Sequence, residues 1–142
     1  MNWTQKERRM HMIKNRPLDH IGLAVSDVEA DAVWYQEVLG LSVKGKFQNP
    51  EGRNVYFLST ADGSVTYEMY QDDSLAAGAK GKIDHISYVS NDIEADYKFC
   101  VNAGYDICTD GIEGIPNFWK QGCKYFKIKS PTGEQVEFCQ VL

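Results

Sequence analysis

The segment Asp19-His20-Ile21 returns 65 residues later as Asp84-His85-Ile86, and the register then holds without a gap. Asp27, Glu29, Ala30 and Asp31 recur as Asp92, Glu94, Ala95 and Asp96. Self-similarity over that span means one supersecondary unit used twice. Each copy carries a histidine at the same point. Each also closes with a strand-like segment centred on a glutamate, Glu68 in the first copy and Glu137 in the second.

Local patterning fills in the unit. In residues 18–25, Ile21, Leu23 and Val25 alternate with His20, Gly22 and Ala24, as in a half-buried strand. Ser26, with Glu29 three residues on, reads as a capping box. Val28, Ala32, Tyr35, Val38 and Leu39 then recur at helical spacing up to a stop at Gly40. Module two repeats this with Asn91 as cap and Glu94 as its partner, Ile93, Tyr97, Cys100 and Val101 as the stripe, and Gly104 as the stop. Three strand signals follow each helix, at 41–47, 53–60 and 65–71, and at 106–109, 123–129 and 135–141. The pattern predicts an α+β chain of two tandem βαβββ modules, 18–71 and 83–142. A glycine-containing linker over 72–82 joins them, and a basic extension over 1–17 precedes them. Residues 111–120, with Gly114, Pro116, Phe118 and Trp119, read as a loop with an aromatic tip.

Strand parity sorts the polar residues. If Ile21, Leu23 and Val25 cover the helix, His20 faces the other side of the sheet. The same alternation leaves Glu68 opposite Tyr67 and Met69, and Glu137 opposite Val136 and Phe138. His85 follows by the repeat. Two neutral imidazoles and two carboxylates suit a divalent first-row ion and leave coordination positions for water or substrate oxygens. His20, Glu68, His85 and Glu137 are therefore the expected metal ligands. Asp19 and Asp84 are expected to point to the opposite face, Glu29, Glu94, Asp31 and Asp96 to lie on helix surfaces, and His11 to be incidental.

Charge and composition narrow the partners. A net charge of −5 argues against a nucleic-acid partner, which needs a concentrated basic face. No apolar run approaches the ~20 residues that span a bilayer, so no membrane partner is expected. Residues 1–17 lack the apolar core and cleavage site of a secretory signal, and the expected location is cytoplasmic. The four cysteines form no C-x-x-C pair and are expected to be free thiols.

With Leu18-Asp19-His20-Ile21, Trp34-Tyr35 before Leu39-Gly40-Leu41, Ile83-Asp84-His85-Ile86, and 131–138 (PTGEQVEF), the chain resembles the vicinal oxygen chelate superfamily over about 17–142. That group holds glyoxalase I, the bleomycin-resistance proteins and the extradiol dioxygenases. The resemblance implies paired βαβββ modules whose curved mixed sheets enclose a metal-binding cleft, with a ligand from the first and last strand of each module. Those ligands are His20, Glu68, His85 and Glu137, a set similar to that of glyoxalase I (lactoylglutathione lyase). Extradiol dioxygenases and fosfomycin-resistance enzymes typically use two histidines and one glutamate, which the fourth ligand at Glu68 argues against.

The implied activity is that of a lyase or isomerase that abstracts a proton next to a carbonyl by way of a metal-stabilised enediolate. Glu137 or Glu68 would be the base, Glu137 favoured. The implied cofactor is one divalent ion per site, nickel, zinc, cobalt, manganese or iron. The implied partners are a small carbonyl substrate, a thiol adduct or an acyl-CoA, and a second copy in a homodimer whose modules pair within or across chains. Two departures speak against glutathione as the thiol: Ala24 and Asp72 stand where glutathione-using bacterial members generally carry arginine and asparagine. The alternatives are an epimerase of 2-substituted acyl-CoA esters, with Glu51 near the epimerases' catalytic glutamate, or a non-catalytic small-molecule-binding resistance protein. Phe118, Trp119 and Tyr70 are candidates for the cleft wall.

Overall fold

A computed structural model of the protein describes residues 2–6, 18–79, 81 and 83–142. Most of the predicted extension over 1–17, His11 included, lies outside the described residues. Module one consists of β1 (Ile21–Val25), α1 (Val28–Leu39), β2 (Ser42–Gln48), β3 (Asn54–Ser59) and β4 (Thr66–Gln71). Module two consists of β5 (His85–Val89), α2 (Ile93–Asn102), β6 (Asp106–Ile107), β7 (Glu113–Ile115), β8 (Cys123–Lys129) and β9 (Gln135–Val141). The sheets run β1-β4-β3-β2 and β5-β9-β8-β6, with β7 paired to β8. In each, the first strand lies parallel to the last, and all the other pairings are antiparallel. The α+β fold and the duplicated order expected from the repeat are therefore present, with β7 an additional short strand in module two.

The caps differ from the expectation. Asp27 and Asp92, one residue after Ser26 and Asn91, accept from the N3 amides of Ala30 and Ala95, both at 3.1 Å. Glu29 is drawn to Tyr56 Oη at 2.6 Å and Asn54 Nδ2 at 2.8 Å, so no capping box closes. The last strand of each module adds a second cap. Val28 N donates to Gln71 Oε1 (3.3 Å) and Ile93 N to Gln140 Oε1 (2.9 Å), satisfying helix amides that have no intrahelical acceptor. Gly40 ends α1 in the left-handed region, φ 69°. In α2, Val101 is 47% exposed. Eight residues past Ile93 it has turned about 80° off the buried line, at ~100° per residue. The aromatic loop also contains a strand that the sequence pattern conceals: β7 is only three residues long with Gly114 at its centre, and Tyr125 Oη holds it by donating to Glu113 Oε2 at 2.8 Å.

Two apolar clusters form the core. One gathers Val25, Val28, Ala32, Tyr35, Leu41, Leu58, Tyr67 and Met69; the other gathers Ile93, Cys100, Phe126, Ile128 and Val136. Trp34 and Leu39 of α1 pack on both, so one helix ties the modules together. Fully burying such side chains stabilises by about 1.5–3 kcal/mol each. Polar contacts join them too. Tyr67 Oη lies 3.1 Å from Tyr88 Oη. The linker is pinned at both ends, Asp72 N donating to Val25 O at 2.8 Å and Gly78 N to Thr132 O at 2.9 Å.

Asp31 is the main correction to the surface assignments. It is fully buried at the module joint, where Thr132 Oγ1 hydrogen-bonds its Oδ2. The same hydroxyl lies 2.6 Å from Glu134 Oε2, which also accepts from Ser130 Oγ. One hydroxyl proton serves one carboxyl, so the remaining contact uses a proton held by the other acid. Burial, and then the Glu134 carboxyl beside it, push the Asp31 pKa up to about 8. A raised folded-state pKa means stability fully present below the unfolded value of 3.8 and lost as pH rises through the folded one.

Two outcomes follow from this joint. Urea unfolding of Asp31→Asn should gain on the wild type as pH rises from 6 to 9; parallel pH profiles would contradict a shared proton. Gly133 has φ +96°, and an added Cβ would sit 2.4 Å from Gly78 Cα. Gly133→Ala should therefore lower stability by about 2–3 kcal/mol in the same assay.

Candidate metal centre

The two copies build the same small constellation. His20 immediately precedes β1, and its Nε2 faces Glu68 Oε2 of β4 at 3.6 Å. His85 opens β5, and its Nε2 faces Glu137 Oε2 of β9, also at 3.6 Å. The parallel pairing of first and last strand is what brings each histidine to its glutamate, with Gly22 level with Glu68 and Ser87 level with Glu137.

The other ring nitrogen of each histidine is engaged. His20 Nδ1 lies 2.6 Å from Asp19 Oδ2 and His85 Nδ1 lies 2.8 Å from Asp84 Oδ2. The hydrogen bond with His20 holds the Asp19 carboxyl below its usual range. These contacts correct the expectation that Asp19 and Asp84 point away. Strand alternation does not govern either residue, because β1 begins at Ile21 and β5 at His85. The doubled Asp-His pair was the signal for this role. A carboxylate on one ring nitrogen fixes the tautomer and leaves the lone pair of the other for a ligand.

The surroundings of the two pairs differ. Around His20 the wall is aromatic: Phe57, level with Glu68, meets the imidazole edge-to-face with ring centroids 5.4 Å apart, and the Phe47 and Phe57 centroids are 6.1 Å apart. Around His85 it is polar. Ser87 Oγ donates to Glu137 Oε1 at 2.8 Å, and Lys127 stands level with Glu137 on the neighbouring strand. A cavity of about 370 Å³ lies between β1, the linker and this half, lined by Ala24, Leu75, Asp84, His85, Lys129 and Gln135 among others. Cys139 is on the same face, but burial pushes its thiol up to about 11, so it is protonated at neutral pH. All four cysteines are free, as expected.

Other candidates fall elsewhere. Glu51 sits in the β2–β3 turn, where its backbone N–H donates to Asn49 Oδ1. Asp72 accepts from Ser74 in the linker turn. Trp119 is 76% exposed and stacks on Phe118, with centroids 4.9 Å apart. Within one chain the four proposed ligands form two pairs rather than one set: among the described residues, no three His, Cys, Asp or Glu gather as an ion-binding group.

Paired βαβββ modules, each offering a histidine and a glutamate from its outer strands, define a class of fold and site. The profile of the Glyoxalase/Bleomycin resistance protein/Dioxygenase superfamily matches residues 19–125, and the chain belongs to that superfamily. It is similar to the uncharacterized protein YwbC of Bacillus subtilis (strain 168), 34% identical over 125 residues that cover 87% of this chain and 96% of that one. Among solved structures, a glyoxalase family protein from Enterococcus faecalis superposes with a TM-score of 0.68 at 21% identity, covering 89% of this chain and 98% of the other. The fosfomycin resistance protein FosX from Listeria monocytogenes superposes at 0.62 with 16% identity, covering 92% and 96%. At these identities the structural likeness is one of fold. Among the described residues, no helix is long and apolar enough to cross a membrane.

The aspartate contacts make a direct expectation. Nitrogen-15 spectra at pH 9 should show His20 and His85 as the Nδ1–H tautomer, and Asp19→Asn and Asp84→Asn should each disturb the adjacent ring alone. An Nε2–H tautomer in the wild type would contradict the arrangement.

Proposed function

We propose that the protein is a divalent-metal-dependent lyase or isomerase of the glyoxalase I type, acting on a small carbonyl compound. The observation that carries this reading is the pair of 3.6 Å contacts between an imidazole Nε2 and a carboxylate oxygen. With Nδ1 bonded to aspartate, each Nε2 is an acceptor aimed at another acceptor, a placement that suits a cation between them. Two donor atoms about 2.1 Å from one ion at ~90–110° stand about 3.0–3.4 Å apart. The present spacing needs a closing of only a few tenths of an ångström, so the donor set fits nickel, zinc, cobalt, manganese or iron.

His20 and Glu68 of one chain would hold the ion together with His85 and Glu137 of a second chain in a homodimer, which turns four half-sites into two full ones. A bound divalent ion supplies Lewis-acid polarisation of the substrate oxygens. The chain's own residues do the rest. Asp19 and Asp84 keep the imidazoles oriented. Ser87 anchors one oxygen of Glu137, whereas the Glu68 carboxylate accepts no hydrogen bond from the described residues and faces His20 at 3.6 Å. That asymmetry makes Glu68 the carboxylate freer to swing, take the proton next to the carbonyl and return it; Glu137, favoured from sequence, is the other candidate. Return to the neighbouring carbon is isomerisation, and return to the same carbon is epimerisation. Ala24, on the β1 strand beside Tyr70, offers no cation for a glutathione carboxylate, which favours a different thiol adduct or an acyl-CoA ester as substrate.

The test couples metal content to proton exchange. Purified protein stripped and reloaded with each of the five metals should bind about one ion per chain. The loaded form should place solvent deuterium in product when offered thiohemiacetals or 2-methyl-branched acyl-CoA esters. Glu68→Gln should lower turnover about 10²–10⁴-fold. Protein that binds none of the five metals would instead be a small-molecule-binding member of the fold.

A further inference from the structure

β8 projects Lys127 and Lys129 onto the open face beside the second histidine–glutamate pair, and of the two Lys127 is the one level with the glutamate. It stands level with Glu137 across the β8–β9 ladder, and β9 separates it from β5. Its side chain nevertheless crosses β9, because Nζ reaches to 3.8 Å from Asp84 Oδ2, the carboxylate that also bonds His85 Nδ1. The ammonium therefore lies over the strand that carries Glu137. Its side chain is only 18% exposed, and Nζ sits 6.0 Å from the centroid of the Tyr125 ring. At 3.8 Å the aspartate is too far for a hydrogen bond. Among the described residues this largely covered ammonium makes no hydrogen bond, so its three donors have bonding capacity to spare.

We infer that Lys127 is a specificity residue: it receives a carboxylate that the substrate carries close to its vicinal pair of oxygens. This rests on the metal-site reading above and names the substrate class for it, a carbonyl compound that is also a carboxylic acid. A carboxylate fits better than a phosphate dianion. One ammonium balances one charge, and Asp84 and Glu137 already place two negative groups on this face. The aromatic wall of Phe57 and Phe47, contributed by the partner's module one in that reading, leaves the charged end to the Lys127 side.

The probes are hydroxymalonate and glycolate. Both offer a hydroxyl and a carboxylate as a vicinal pair, and hydroxymalonate adds a second carboxylate. Calorimetric titration of the nickel-loaded protein should give about tenfold or greater preference for hydroxymalonate, the size of one charge-assisted hydrogen bond. Lys127→Met and Lys127→Gln should abolish that preference while changing nickel and glycolate affinity less than about threefold, and Lys127→Arg should keep most of it. A preference that survives in both neutral variants overturns the assignment, as does a variant that loses nickel affinity alone, which would make Lys127 a positioning residue for Asp84. Wild-type protein that takes up no nickel overturns the metal reading and this inference together, and so is told apart from failure of Lys127 alone.

Discussion

Each histidine in this fold is committed on one side. With Asp19 or Asp84 on Nδ1, a neutral imidazole presents its Nε2 lone pair, and the strand pairing aims Nε2 at a carboxylate. Two acceptors face to face are mutually repulsive in the absence of a positive charge. The fold builds that opposition twice with the same spacing, on β1–β4 and on β5–β9. A single occurrence would be an ordinary surface contact. Its duplication, together with the duplicated aspartate, is what supports the metal-site reading proposed above.

The rest of the molecule holds the two pairs still and apart. α1 contributes Trp34 and Leu39 to both cores, and the Asp31–Thr132–Glu134 cluster fastens it to the β8–β9 turn. The linker is tied to β1 and to that same turn. A joint so buried resists sliding, so the half-sites of one chain do not close on each other by a small adjustment. Completion by a second chain, as proposed above, would need no such rearrangement. It would also set an aromatic half against a polar one and give the cleft two chemically distinct ends.

The repeat made the architecture legible, because a period of 65 residues with matched helices and stop signals admits few arrangements. Strands 123–129 and 135–141 have the expected bounds, since turn residues and strict alternation frame both. The pairing of His20 with Glu68 and of His85 with Glu137 follows from first and last strands lying side by side. Other features were hidden for identifiable reasons. Alternation says nothing about Asp19 and Asp84, which precede their strands. Helical spacing puts Asp31 near the rim of the apolar stripe, and only the arrival of Thr132 and Glu134 from the far module buries it. The polar wall around Lys127 depends on which strand lies between β5 and β8, a matter of sheet order that local pattern does not carry.

The central claim is that an ion is shared between chains, and complementation tests it most directly. One variant carries His20→Ala with Glu68→Ala, and the other carries His85→Ala with Glu137→Ala. Neither alone should hold nickel in equilibrium dialysis. Co-assembled through different affinity tags, the mixed dimer should regain one ion, because one of its two sites then combines intact halves. A mixed dimer that binds none, beside a wild type that does, would contradict the account.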